Sequence, residues 1–168
     1  MVVVIATNHP WAFEDATKRR FEKQIEIPLP DDAGRRAMIG LTLRGRTHTI
    51  SDDDVAELAG RLEGYSGADI QKLASEAFIR PIHRVQSAKF FRPAENGRWL
   101  PCDADDEGAT EREWRSMTDA EIALPPATAE DWRECLRLGL VKPSNSTEMV
   151  ARYANYTRAA GTRYGKTE

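Results

Sequence analysis

The hydrophobic positions at the start of the chain have the spacing of two β-strands. Val2 to Ala6 form a continuous, largely β-branched run, which is typical of a strand buried on both faces of a parallel sheet. Apolar and polar residues then alternate from Lys23 to Leu29, and a short linker helix is predicted around Asp15 to Arg19. Because a two-stranded sheet is marginally stable in water, we interpret residues 1–30 as the end of a larger α/β domain. Without that domain, we expect the strand pair to be disordered, swapped between copies or packed on a neighbour.

After this segment the apolar residues recur at helical spacing. Three predicted helices begin directly after capping residues, which are Asp31, Ser51 and Ser66. The first is expected to end near Leu43 and the second at Gly64. Asp54 lies at capping-box spacing from Ser51. Pro81 should kink or end the third helix, and we expect the three to share one core.

The stretch from Lys89 to Met117 breaks the helical pattern. Its aromatic residues lie in short segments with extended character, separated by the turn pair Asn96–Gly97 and by the acidic run Asp103 to Gly108. The sequence therefore predicts a β-hairpin or a small sheet, inserted among the helices.

Two more helices are predicted near the C-terminus. Thr128 and Asp131 have capping-box spacing, and Asn145 with Glu148 should cap a last helix. The apolar face of that helix is expected to carry Met149, Val150, Tyr153 and Ala154. The predicted fold class is α+β and predominantly α, with four to five helices, a small β insertion and the strand pair in front.

Composition and charge exclude several classes of function. The formal net charge is -3 at pH 7, and basic and acidic residues are interleaved, so neither nucleic-acid nor membrane-surface binding is indicated. Cys102 and Cys135 lack metal-ligand spacing, and no metal site is predicted. The first apolar run is too short to span a bilayer and lacks the basic lead of a signal peptide, so we expect a cytosolic protein without a transmembrane segment.

Two motifs that suggest chemistry have simpler explanations. The residues from Gly161 to Thr167 resemble a phosphate-binding P-loop, but only three residues separate the glycines and no strand precedes them. We interpret Gly161 as the C-cap of the last helix. Ser66, within Gly64-Tyr65-Ser66-Gly67, is interpreted as a helix cap rather than a nucleophile.

Several short motifs occur in the order found in AAA ATPases. They are Ala6-Thr7-Asn8, Arg19-Arg20-Phe21, Ile27-Pro28-Leu29-Pro30 and Gly64-Tyr65-Ser66-Gly67-Ala68-Asp69-Ile70. Within that superfamily, the segment Pro81 to Phe91 and the aromatic insertion resemble the vacuolar-protein-sorting AAA ATPases that disassemble ESCRT-III filaments. Katanin and spastin, of the same meiotic clade, share the earlier motifs but lack the inserted strands. The resemblance implies that residues 1–30 end the large AAA subdomain and that residues 31–168 form the lid, with the β insertion at about 89–117 and the C-terminal helix at about 146–160.

The resemblance also implies roles for individual residues. Asn8 matches sensor 1, whose amide helps to place the attacking water. Arg19 and Arg20 match the arginine fingers, which act on the nucleotide of a neighbouring subunit, whereas without the resemblance these residues could equally be a solvated basic edge. Gly67 and Ala68 match lid residues that pack against adenine and ribose.

Aromatic residues of the insertion match the part of the family that binds an activator protein, although they could instead pack the small sheet. They are Phe90, Phe91, Trp99 and Trp114. The implied partners are copies of the subunit in a hexameric ring, ESCRT-III subunits through the full-length protein, and the activator. The implied location is the cytoplasm, with recruitment to endosomal membranes.

The cofactors implied for the full-length protein are ATP and Mg²⁺. The Walker A, Walker B and pore-loop motifs do not occur in this sequence, so we expect this chain alone neither to bind nucleotide tightly nor to hydrolyse ATP. The alternatives are a non-catalytic interaction or regulatory module, and a microtubule-severing relative of the katanin and spastin type. Nucleic-acid binding is disfavoured because acidic residues flank the basic clusters.

Overall fold

The computed structural model of the chain describes residues 2–21, 23–94, 97–144 and 147–160. These residues divide into two compact units. One unit combines the N-terminal segment up to Pro28 with the C-terminal helix, and the other runs from Leu29 to Ser144. Each unit is described separately below.

The larger unit is a bundle of four helices with a small sheet. Its helices are α2 (Asp32–Leu43), α3 (Asp52–Arg61), α4 (Gly67–Ser87) and α5 (Ala129–Arg137). Their apolar faces meet in a core whose largest fully buried members are Ile39, Leu58, Leu62, Ile70, Leu73, Trp132 and Cys135. Helical periodicity therefore predicted both the helices and the faces that they bury.

Local capping explains where these helices begin. Asp31 accepts a hydrogen bond from the Gly34 amide at 2.7 Å, which fixes the start of α2. Reciprocal capping boxes open the next three helices, pairing Ser51 with Asp54, Ser66 with Asp69 and Thr128 with Asp131. Each box satisfies backbone amides that the first helical turn leaves without a partner, so a short stretch of sequence determines the boundary.

Pro81 lies inside α4 and does not end it. The helix continues to Ser87, and Pro81 is buried on its inner face. The predicted ending of the helix at Pro81 is therefore wrong. The helix continues because packing against the core outweighs the one backbone hydrogen bond that proline cannot donate.

The segment after α4 forms a three-stranded antiparallel sheet, as predicted. Its strands are β1 (Phe90–Pro93), β2 (Trp99–Cys102) and β3 (Thr110–Glu111), in the order β2-β1-β3. Phe91 of the central strand lies opposite Pro101 and Thr110. A 3-10 turn, Trp114–Ser116, follows the sheet.

The smaller unit corrects the prediction of two N-terminal strands. Val2 to Ala6 form no strand, and Val2 and Val4 are 90% and 86% exposed. No strand spans Lys23 to Leu29 either, where bridge pairing is confined to Gln24. Strand geometry requires a hydrogen-bonding neighbour, and in the described chain no strand lies beside these segments.

The remaining elements of this unit are helical. They are a 3-10 turn (Pro10–Ala12), the predicted linker helix α1 (Asp15–Lys18) and the C-terminal helix α6 (Thr147–Ala160). The proposed cap at Asn145 and the glycine-rich residues 161–167 lie outside the described residues. None of the helices in the described ranges has the length and apolar character needed to cross a bilayer.

An ion-pair cluster joins α3 to α5. The Arg133 guanidinium donates to Asp54 at 2.8 Å and to the carboxylate of Glu57, and Arg61 also pairs with Glu57 at 2.8 Å. The hydrogen bond from Arg133 lowers the pKa of Glu57, and the hydrogen bonds from Ser51 and Arg133 lower the pKa of Asp54. The ionised carboxylates therefore favour the folded chain.

This cluster predicts acid-sensitive stability. Because the folded-state pKa values are lowered, the stabilisation is complete above the unfolded values of about 4 and is lost as the pH falls through the folded ones. In urea unfolding between pH 7 and pH 2.5, Arg133→Met should lower the unfolding free energy at pH 7 and make its acid dependence shallower. Arg44→Met is the matched control, since Arg44 is exposed and forms no ion pair with any described residue. An unchanged acid dependence in Arg133→Met would contradict this prediction.

Candidate functional site

Asn8 lies in an exposed turn that backbone contacts hold in place. The His9 amide donates to the Thr7 hydroxyl at 3.0 Å, and the Tyr153 hydroxyl of α6 donates to the Asn8 carbonyl. These contacts leave the side-chain amide of Asn8 on the surface of its unit. This arrangement suits a polar group that acts on something outside the unit.

An aromatic cluster packs the turn against α6. Trp11 lies edge-on to Tyr153, with ring centroids 5.0 Å apart, and also contacts Tyr156 at 6.4 Å. The Arg152 guanidinium lies over the Trp11 ring at 4.6 Å. The residues around Asn8 are therefore held by side chains from the C-terminal end of the chain.

The three basic residues at the end of α1 and directly after it have different environments. Lys18 is half-buried, pairs with Asp15 at 3.4 Å and lies 5.7 Å from the Tyr156 ring centroid. Arg19 and Arg20 are exposed, and neither side chain pairs with an acidic group among the described residues. Two unpaired guanidinium groups can donate to an anion on another molecule.

The start of α4 is a tightly built helix N-terminus. Gly67 packs against α2, where a β-carbon at this position would meet the Met38 methyl carbon at 3.3 Å. Ala68, the next residue, is exposed. Gly67 therefore allows α4 to approach Met38 of α2 closely. Ala68 exposes a small side chain to solvent.

Asp69 connects this N-terminus to the chain before α6. Its Oδ2 accepts from the Ser66 amide at 3.0 Å and hydroxyl at 2.7 Å, and from the Ser144 amide at 3.1 Å and hydroxyl at 2.9 Å. Tyr65 adds a hydrogen bond to the Val141 carbonyl at 3.1 Å. Burial opposes ionisation of Asp69, but the hydrogen bonds from Ser66 and Ser144 outweigh burial, and its pKa is lowered.

An open cleft of about 450 Å³ runs between α2 and α4 beside Gly67. Its apolar wall contains Met38, Leu41 and Ile70, and basic side chains stand at its end. The lining residues are Met38, Leu41, Thr42, Arg44, Arg46, Gly67, Ile70, Gln71, Ala74 and Ser75. In the described part of the chain, no three acidic, histidine or cysteine side chains come together to hold a metal ion.

The four aromatic residues of the insertion differ in exposure. Phe91 has no exposed surface, so it is a core residue of the sheet and offers nothing to a partner. Phe90, Trp99 and Trp114 are each partly exposed, and the Arg112 guanidinium stacks on Trp99 at 3.7 Å. Of the four aromatic residues, only these three can contribute to a binding surface here.

Three contributing residues were not found from the sequence. Ser144 meets Asp69 across 75 positions, Tyr153 meets Asn8 across 145, and Met38 approaches Gly67 between two helices. The spacing of Ser66 and Asp69 indicates a helix cap, but no local pattern indicates contacts between residues that are so far apart in the sequence.

Residues 52–90, which span α3, α4 and the start of β1, match the family described as "AAA+ lid domain". Residues 99–161 match the "Vps4 C terminal oligomerisation domain". The chain therefore belongs to the AAA ATPases and corresponds to the C-terminal part of their Vps4-type and fidgetin-type members.

Curated relatives agree with this assignment. Human vacuolar protein sorting-associated protein 4A is 36% identical over 77% of this chain and 32% of its own length. Mouse vacuolar protein sorting-associated protein 4B is 31% identical over 96% of the chain and 38% of its own length. The ATPase-like fidgetin of Schizosaccharomyces pombe is 29% identical over 96% of the chain and 20% of its own length. The chain thus spans about a third of the length of the Vps4 relatives.

Solved structures give the same fold. The FIGL-1 AAA domain superimposes with a TM-score of 0.68 at 25% identity, covering 91% of this chain and 42% of that one. A structure titled "Crystal Structure of Vps4 and Vta1" matches with a TM-score of 0.54 at 28% identity, covering 66% of this chain and 99% of that one.

Proposed function

We propose that this chain supplies the lid, sensor 1 and arginine fingers of a Vps4-type ATPase that disassembles ESCRT-III filaments. The observation that carries the proposal is the three-stranded sheet between α4 and α5. The resemblance assigns inserted strands to the vacuolar-protein-sorting members and not to katanin or spastin, and the human 4A protein is 36% identical.

Asn8 acts as sensor 1 in this proposal. Its exposed amide orients the water that attacks the γ-phosphate of ATP, while Tyr153 and the Thr7 hydroxyl hold the turn that carries it. A positioned amide lowers the barrier by restricting the water to a reactive orientation.

Arg19 and Arg20 act on the nucleotide of the neighbouring subunit. Their exposure and their lack of an acidic partner in the described chain leave both guanidinium groups able to donate to phosphoryl oxygens. Charge builds up on those oxygens in the transition state, where a guanidinium stabilises it.

The lid contributes to nucleotide binding through its first and third helices. ATP brings the phosphoryl group that is transferred and Mg²⁺ neutralises its charge, and this chain's part is to enclose the base. Gly67, Ala68 and the apolar wall of the cleft offer small and apolar contacts for that purpose.

Ring assembly and partner binding complete the proposal. The match to an oligomerisation domain supports assembly with further copies into a ring. The structure containing Vps4 and Vta1 supports an activator partner, for which Phe90, Trp99 and Trp114 offer partly exposed aromatic surface. The ATPase would act in the cytoplasm at endosomal membranes.

A chimera tests this function. The corresponding C-terminal third of human vacuolar protein sorting-associated protein 4A is replaced by this chain, and ATP hydrolysis and release of ESCRT-III subunits from filaments are measured. The chimera should do both, and Asn8→Ala should lower kcat by about a hundredfold, the typical cost of a misplaced reactant. Asn155→Ala is the matched control, because Asn155 is an exposed residue of α6. Hydrolysis coupled to microtubule severing, without filament release, would instead support the katanin-type alternative.

A further inference from the structure

One face of α6 contacts the segment that carries Asn8, Arg19 and Arg20. Tyr153 donates to the Asn8 carbonyl, Tyr156 lies 3.5 Å from the Gln24 side chain, and Thr157 donates to Glu26 at 2.9 Å. All of these contacts lie within the smaller unit. The C-terminal helix therefore holds the N-terminal segment at several points.

The contact at Asn8 matters because the segment has little else to fix it. Residues 2–9 have exposed side chains and belong to no regular element in the described chain. A hydrogen bond to the Asn8 carbonyl fixes the plane of the peptide between Asn8 and His9. Because the Asn8 Cα lies in that plane, fixing the plane restricts the positions that Cβ, and hence the side-chain amide, can reach.

The donor itself is held firmly. The Tyr153 ring lies edge-on to Trp11 at 5.0 Å, and Arg152 covers Trp11 at 4.6 Å. Because Trp11 follows Asn8 by three residues, the same cluster restrains both ends of the turn. The contacts of Tyr156 and Thr157 reach Gln24 and Glu26, to which no chemical role is assigned.

We propose that Tyr153 is a positioning residue for Asn8, so that the C-terminal helix sets the orientation of the sensor 1 amide. The proposal rests on the proposed function of Asn8. It predicts that removing one hydroxyl from α6 reduces the rate of hydrolysis without changing nucleotide affinity, because the group that contacts substrate is misaligned rather than lost.

The first test measures the hydrogen bond directly. Asn8–His9 is the only Asn-His pair in the sequence, so labelling Asn with ¹³C at the carbonyl and His with ¹⁵N gives a single amide–carbonyl NMR correlation. In the complete chain, Tyr153→Phe should move the Asn8 carbonyl resonance upfield, as expected for a lost hydrogen bond. Tyr156→Phe, which removes the neighbouring hydroxyl, should leave it unchanged. No shift in Tyr153→Phe, or equal shifts in both variants, would overturn the proposal.

The second test measures the consequence in the chimera. Tyr153→Phe should lower kcat by about fivefold, the effect of one net hydrogen bond, with the KM for ATP unchanged. The kcat of Tyr156→Phe should stay within about twofold of the parent value, a smaller change than that expected for Tyr153→Phe. In an Asn8→Ala background, Tyr153→Phe should cause no further loss, because its effect is transmitted through Asn8.

The outcomes separate this inference from the proposed function. If Asn8→Ala has no effect on kcat, the assignment of sensor 1 fails. If Asn8→Ala lowers kcat but Tyr153→Phe does not, only the positioning role fails. Loss of assembly in Tyr153→Phe, with kcat restored at high protein concentration, would show that the hydroxyl is structural and would also overturn the inference.

Discussion

Replacing Arg19 and Arg20 together by alanine is expected to lower ATP hydrolysis by the chimeric ring by about three to five orders of magnitude, the range found for arginine fingers. The reason is that both guanidinium groups are exposed and unpaired in the described structure, and so are available to a phosphoryl group on a neighbouring subunit. Single-turnover hydrolysis at saturating protein measures the loss of the chemical step separately from loss of assembly. Lys18→Ala is the control, since Lys18 is engaged with Asp15 and should contribute little.

Mixing two defective chimeras tests whether the fingers act between subunits. The Arg19→Ala/Arg20→Ala chimera keeps its own sensor 1, and the Asn8→Ala chimera keeps its fingers. Each should be strongly impaired alone, but mixed rings should recover part of the rate wherever an intact sensor site adjoins an intact finger. Failure of the mixture to recover, with mixed assembly confirmed, would mean that the fingers do not act in trans.

Asp69→Ala is expected to cost about 3 kcal/mol of unfolding free energy at pH 7, because hydrogen bonds to a charged group contribute about 1.5–3 kcal/mol and loss of a cap about 1 kcal/mol. The change leaves the amides and hydroxyls of Ser66 and Ser144 without their acceptor. Urea unfolding measures the loss, and Ser144→Ala, which removes one of the donors, should cost about 1 kcal/mol.

The pH dependence gives an independent check on Asp69. Its pKa is lowered in the folded chain, so its stabilisation is present above the unfolded value of about 4 and disappears as the pH falls through the folded value. The difference between Asp69→Ala and the parent should therefore shrink below pH 4. A difference that stays constant down to pH 2.5 would show that the carboxylate charge is not what Ser66 and Ser144 require.

The sequence predicted the helices best because their signals are local. Ser51 with Asp54 and Thr128 with Asp131 each lie within four residues, and each pair forms the expected capping box. The sheet was also found, since aromatic segments separated by turn residues do not fit a helix. These elements depend on neighbouring residues, which a single sequence displays.

Features that depend on distant partners could not be predicted. Val2 to Ala6 have the composition of a buried strand, but a strand forms only beside another one. Likewise the burial of Phe91 and the partial exposure of Trp99 depend on register, since Phe91 lies in the central strand. Residue types alone did not separate these two aromatic positions.

In the candidate site too, the features set by neighbouring residues were predicted and the contacts between distant residues were not. Asn8, Arg19 and Arg20 were selected through short motifs, and their catalytic roles stay predictions. The link between Tyr153 and Asn8 spans 145 positions, and the link between Ser144 and Asp69 spans 75. Such contacts arise only when folding brings distant parts of the sequence together.

The length and continuity of α4 have a mechanical consequence. Its 21 residues form one helix of about 31 Å, with Pro81 inside it, which begins at Gly67 and ends three residues before β1. A tilt of about 10° at the Gly67 end therefore moves the far end by about 5 Å, given that length. Because Arg84 in the second half of α4 pairs with Asp131 of α5 at 2.7 Å, α5 would move together with α4. A small rotation where the base is proposed to bind would then displace the aromatic sheet.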